Sequence, residues 1–189
     1  MRRVGGLLFT LTGHQGSVSA AGFSPDGKRV VTASGDQTAR VWDAESGRLL
    51  TTLTRHRDDV VSAEFSPDGE RVVTGSYDKT ARVWDAESGR ALATLTGHQD
   101  TVSSAVFSPD GKRVMTASED HTVRVWDAES GHALATVTGF PGQVRTAGFS
   151  PDRKRAVMAG DDYPAHVYIV DDLVDLVMWA EHQLPIETQ

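Results

Sequence analysis

The 189-residue sequence predicts an all-β repeat fold, four units of four short antiparallel strands that share one core. Two observations carry this. A forty-two-residue stretch is written three times in succession, with Trp42, Trp84 and Trp126 each inside Arg-Val-Trp-Asp-Ala-Glu-Ser-Gly, and an altered fourth copy holds Tyr168 at the equivalent place. Within each copy, short runs rich in Val, Ala, Thr and aromatics alternate with turn residues, which is the pattern of strands and not of helices.

In the first copy the strands read as Val18 to Phe23, Arg29 to Ser34, Ala39 to Trp42 and Leu49 to Leu53. The first connection is Ser24-Pro25-Asp26-Gly27, where Pro presets one turn dihedral and Gly accepts a positive one; it recurs at Ser66 to Gly69 and Ser108 to Gly111. Gly35-Asp36-Gln37 makes a tight second turn, and Asp43-Ala44-Glu45-Ser46-Gly47 a loop that again ends on Gly. The apolar start after Arg2 and Arg3 imitates a weak signal peptide, but Gly6-Leu7-Leu8-Phe9-Thr10-Leu11 aligns with Arg48-Leu49-Leu50-Thr51-Thr52-Leu53, so it belongs to the repeat.

A net charge of -7 provides no basic field for a phosphate backbone, so neither nucleic acid nor an anionic membrane surface is expected as a partner. No stretch reaches the roughly 20 apolar residues that span a bilayer. The chain has no cysteine, which removes disulfides, thiolate zinc sites and cysteine nucleophiles and suits a cytoplasmic location.

A single four-stranded sheet cannot bury both faces and carries two open edges. Stacking such sheets as radial blades around an axis solves both problems. At this point the residues resemble the WD-repeat β-propellers, with tandem repeats of bacterial type: Gly13-His14, Asp36 and Trp42-Asp43 in the first copy; Arg55-His56, Asp78 and Trp84-Asp85 in the second; Gly97-His98, Asp120 and Trp126-Asp127 in the third. The resemblance implies a structural tetrad in each blade. These would join His14, Asp36 and Trp42 with Thr32 or Ser34; His56, Asp78 and Trp84 with Thr74 or Ser76; and His98, Asp120 and Trp126 with Thr116 or Ser118. Groups repeated identically in every blade are fold elements, so these His and Asp residues are not read as metal ligands or acid/base catalysts.

The resemblance gives four overlapping repeats, 6–54, 48–96, 90–138 and 132–170, within a region 1–170. The fourth keeps Phe149-Ser150-Pro151-Asp152 and Asp162, but Phe140 replaces the His, Met158 and Gly160 the hydroxyls, and Tyr168 the Trp. It also lacks an outer strand, which Leu7 to Thr12 would supply by alignment. Residues 171–189 form a separate tail: apolar residues at 173, 176, 177, 180 and 184, an Asp pair before them and Pro185 after them predict a short amphipathic helix. The tail is similar to one that follows the last repeat in some large bacterial signalling proteins.

Family members usually have near seven blades, and four would span little more than half a circle. Three arrangements follow: two chains in one eight-bladed ring, a fragment of a longer array, or a closed four-bladed monomer. The expectation is the first, a homodimer in which each N-terminal strand completes the other chain's fourth blade.

No phosphate loop, nucleophile elbow or His-Glu-x-x-His spacing occurs, so no catalytic residue, cofactor or metal site is expected. The Asp161-Asp162 pair is weak evidence for a cation site. The resemblance implies a non-catalytic interaction scaffold that binds a protein or peptide at one loop face. Its candidate contacts are Ser17, Ser19, Asp59, Val61, Thr101, Ser103, Gln143 and Arg145 at the starts of the inner strands, with Gly35, Tyr77, Glu119 and Asp161 before the turns. These positions vary while their surroundings repeat. Tyr77 would anchor a ligand, and Asp59, Glu119 and Asp161 would attract a basic peptide. A sensor module serving a larger signalling protein and a propeller enzyme with a loop-borne site are the other two readings.

Overall fold

The computed structural model describes residues 6–161 and 163–169. Each repeat folds into one sheet, here termed a blade. Blade 1 contains β1 (Val18–Phe23), β2 (Arg29–Ser34), β3 (Ala39–Asp43) and β4 (Leu49–Leu53). Blade 2 contains β5 (Val60–Phe65), β6 (Arg71–Ser76), β7 (Ala81–Asp85) and β8 (Ala91–Leu95). Blade 3 contains β9 (Val102–Phe107), β10 (Arg113–Ser118), β11 (Val123–Asp127) and β12 (Ala133–Val137). Blade 4 has three strands among the described residues: β13 (Val144–Phe149), β14 (Arg155–Gly160) and β15 (Tyr163–Ile169). In every sheet the strands pair antiparallel in chain order, and the first strands of successive blades pack on one another.

Turn chemistry produces this regularity. At the first hairpin, the Ser24 hydroxyl donates to Asp26 Oδ1 at 2.6 Å and accepts the Arg29 N–H at 2.9 Å, while Gly27 takes φ +71°. That left-handed dihedral is costly for a residue with a Cβ and free for Gly. The register repeats too: Val31 faces Val41, Val73 faces Val83, Met115 faces Val125 and Val157 faces Val167.

Apolar faces meet between successive blades. Val31, Val41 and Leu53 of blade 1 pack with Val60, Phe65, Val72 and Trp84 of blade 2; the second junction has the same build, and the third keeps the valines but adds Phe140 and Met158, with Phe149 and Tyr168 partly buried. Thus every blade has a forward face carrying its Val31-type residues and a rear face carrying its Phe23-type residue. The stack is an open arc: β5 packs on β1, β9 on β5 and β13 on β9, with no comparable packing of β13 on β1. Val18 consequently stays 52% exposed, whereas Val60, Val102 and Val144 at the same position are fully buried.

Two expectations find no counterpart among the described residues of one chain. The residues expected as a completing strand, Leu7 to Thr12, pair with no sheet in the structure, and Leu7 and Leu8 are exposed. Among the described residues of one copy, the three-stranded blade 4 is at the far end of an unclosed arc. The amphipathic helix and tail of 171–189 lie outside the described residues.

Candidate functional site

The resemblance-implied tetrads are built as chains of hydrogen bonds. In blade 1 the Trp42 indole donates to Thr32 Oγ1 at 2.9 Å, and Thr32 Oγ1 lies 2.7 Å from His14 Nε2. An ionised carboxylate can only accept, so the imidazole proton sits on Nδ1, which donates to Asp36 Oδ2 at 2.8 Å, and Nε2 of the neutral ring accepts the threonine proton. Blade 2 repeats this with Trp84, Thr74, His56 and Asp78, and blade 3 with Trp126, Thr116, His98 and Asp120. Threonine is therefore the hub in each case. Ser34, Ser76 and Ser118 serve the turn instead, accepting the N–H of Asp36, Asp78 and Asp120.

One member was missed from the sequence. Thr38, Thr80 and Thr122 each donate a hydroxyl to the second oxygen of the turn aspartate at 2.6 Å. Their recurrence at the repeat period was the available signal. Burial by itself would raise the Asp36 carboxyl, but bonds from Thr38, the Gln15 N–H and His14 outweigh it and hold the group well below the usual range. The same balance lowers Asp78, and takes Asp120 to about 2. Burial also pushes His98 down against the pull of Asp120, which keeps it neutral. Both nitrogens of each histidine are engaged by protein groups, and the side chains are at most 5% exposed. They cannot reach a substrate. Among the described residues no three His, Asp or Glu side chains are grouped to hold a metal ion.

The candidate contacts gather at one end of the blades. The turn residue bonds by its backbone N–H to the carbonyl preceding the inner strand: Gly35 to Ser17, Tyr77 to Asp59, Glu119 to Thr101 and Asp161 to Gln143, at 2.9–3.0 Å. The pairs expected to act together are thus neighbours within each blade. Just beyond them every inner strand carries a β-bulge. Ser34 faces Val18 while Ala33 faces Ala20, which leaves Ser19 outside the ladder; Val61, Ser103 and Arg145 are skipped in the same way. A bulge frees one residue from pairing and re-aims its side chain. The four skipped residues are the candidate contacts that lie within the inner strands.

Charge on this face differs from the expectation. Arg145 bridges two blades, bonding Glu119 and reaching Asp161 Oδ2 with Nη2 at 2.7 Å. The hydrogen bond from Arg145 lowers the Asp161 carboxyl further. Two of the three carboxylates expected to attract a basic peptide are therefore already neutralised, because the bulge aims a guanidinium between them. Asp59 forms no ion pair among the described residues and lies against blade 1, where a Cβ on Gly35 would come 3.2 Å from its Oδ2. Tyr77 is 47% exposed, whereas Thr101 is buried.

A family model described as WD domain, G-beta repeat matches residues 5–43, 47–85 and 89–127, each from an N-terminal segment through its Trp-Asp pair. The chain is 48% identical over 50 residues to an uncharacterized WD repeat-containing protein of Synechocystis sp., which is 25% of this chain and 14% of that protein. It is 48% identical over 40 residues to the periodic tryptophan protein 2 homolog of Neurospora crassa, 21% of this chain and 4% of that one. It is 50% identical over 38 residues to the vegetative incompatibility protein HET-E-1 of Podospora anserina, 20% of this chain and 3% of that one. The matched segment therefore spans 14% or less of these curated relatives.

Proposed function

Because the chain belongs to the WD domain, G-beta repeat family, whose members generally act as non-catalytic interaction scaffolds, we propose that it binds a peptide or protein partner on the bulged loop face. One observation carries this reading: a scaffold of near-identical blades sets one bulged residue per blade, Ser19, Val61, Ser103 or Arg145, beside a second variable residue at the turn, Gly35, Tyr77, Glu119 or Asp161. Rigid strands hold those positions fixed, so a partner meets a preorganised surface. Tyr77 supplies the aromatic anchor, and Asp59 the charge left for a basic group.

A displayed random-peptide library panned against the protein tests the reading. Enriched peptides should lose binding about tenfold with Tyr77→Ala and with Asp59→Ala, and keep it with Leu134→Ala on the outer rim. Failure to enrich any peptide, or indifference to Tyr77 and Asp59, overturns it.

A second reading concerns assembly. The arc's uncovered ends favour two copies joined into an eight-bladed ring, which would bring two such faces together. A cytoplasmic location belongs to the same reading, since a chain without cysteine suits a reducing compartment. No helix among the described residues is long and apolar enough to cross a membrane.

A further inference from the structure

The arc's two bare ends are the two halves of its own internal junction. At the first junction Arg29 lies over the Phe65 ring at 5.3 Å and donates from Nη2 to the Gly69 carbonyl at 2.7 Å. At the second, Arg71 lies over Phe107 at 5.2 Å and donates to the Gly111 carbonyl at 2.8 Å. Phe65 and Phe107 are each 5% exposed as a result. The rear face of blade 1 carries the same receptor, Phe23 and the Gly27 turn, with Phe23 70% exposed.

The forward face of blade 4 carries the matching donor. Arg155 occupies the Arg29 position and is held 3.6 Å from Asp152, much as Arg71 is held 3.7 Å from Asp68. Val157 and Val167 pair across the sheet as Val31 and Val41 do, yet are 43% and 65% exposed where Val31 and Val41 are fully buried. A hollow of about 230 Å³ opens there, lined by Phe149, Ser150, Arg155, Ala156, Val157 and Val167. On blade 1 the corresponding valines pack against Phe65.

We propose that this forward face receives the rear face of blade 1 from a second copy of the chain, with Phe23 in the hollow beneath Arg155. The contact is heterologous, and each copy owns both halves, so two copies close with two equal junctions. The occupant is a second copy because continuity with the internal junctions specifies a WD blade presenting Phe and a Gly turn, and blade 1 presents both uncovered. The inference rests on the two-chain ring reading above and adds the surface that forms it.

Light scattering over a concentration series, with the full chain and three variants, tests it. The unaltered chain is expected as a dimer, with Phe23→Asp and Val167→Asp each weakening association at least tenfold and Leu134→Glu on the rim leaving it unchanged. All four should keep one far-ultraviolet circular dichroism spectrum, because the altered side chains are exposed; a variant that unfolds is replaced by Phe23→Ser or Val167→Ser and read the same way. A monomer at every concentration overturns both the ring and this surface. A dimer indifferent to Phe23 and Val167 leaves the ring standing and overturns the surface. A ladder of higher masses shows pairing that does not close and overturns the two-copy arrangement.

Discussion

Blades 3 and 4 follow the same path through space and hold their middle strands together by opposite means. Blade 3 buries a neutral His98, the Thr116 hydroxyl and the Trp126 indole in one chain of hydrogen bonds ending on Asp120. Blade 4 puts Phe140 and Met158 at the His and Thr positions, both buried, with Tyr168 packed partly against them. The change is concerted. Replacing only the histidine would leave a hydroxyl and a carboxylate oxygen each short of a partner in a low-dielectric interior. A buried polar network is tolerable whole or absent, and the two blades are the two tolerable versions.

Mutation at the hub position should separate them most. Thr116→Val removes the acceptor of the Trp126 N–H and the donor to His98 together, and is expected to cost about 3 kcal/mol in urea unfolding. Adding His98→Phe and Trp126→Tyr to Thr116→Met should recover at least half of the loss seen with His98→Phe alone. Simple additivity of the three would break the argument that they act as a unit.

Acid should unfold the blades unequally. Asp120 binds its proton more weakly folded than unfolded, its pKa falling from 3.8 to about 2 because bonds from Thr122, the Gln99 N–H and His98 outweigh burial. Its contribution, on the order of 2 kcal/mol, is complete above pH 3.8 and is lost as pH falls toward about 2. Asp120→Asn should therefore flatten the stability profile across that window. Met158→Ala in blade 4 should lower stability by a similar amount at pH 2.5 and pH 7, since no titrating group is removed. Amide hydrogen exchange resolved by blade reads both.

The smallest effect lies at the first hairpin. Arg153 of blade 4 takes φ 63° where blade 3 has Gly111 at φ 69°. Arg153→Gly relieves a left-handed residue but removes its exposed ion pair with Asp110, for a net gain of about 0.5 kcal/mol in thermal unfolding.

The strands, the turns and the His-Asp-Trp residues were legible because each depends on neighbours along the chain or on recurrence at one period. Ser-Pro-Asp-Gly announces a hairpin wherever it stands. The choice between Thr32 and Ser34 was not legible, since both are small hydroxyls on the same edge of one strand, and only the distances to Trp42 and His14 distinguish them. Nor was the neutralisation of Glu119 and Asp161. Arg145 reaches both because a bulge turns it outward, and a bulge is a property of two paired strands that neither strand spells alone.

By itself the sequence determined the blade, since a four-stranded unit needs only local turns, alternating burial and a tetrad supplied within one repeat. Tertiary structure decided everything that depends on one blade meeting another: the open arc, the bridging Arg145, and the burial of Phe65 beside the exposure of Phe23. The physical reason is that those two phenylalanines are identical in the chain, and only the presence or absence of a neighbouring sheet makes one a core residue and the other a surface.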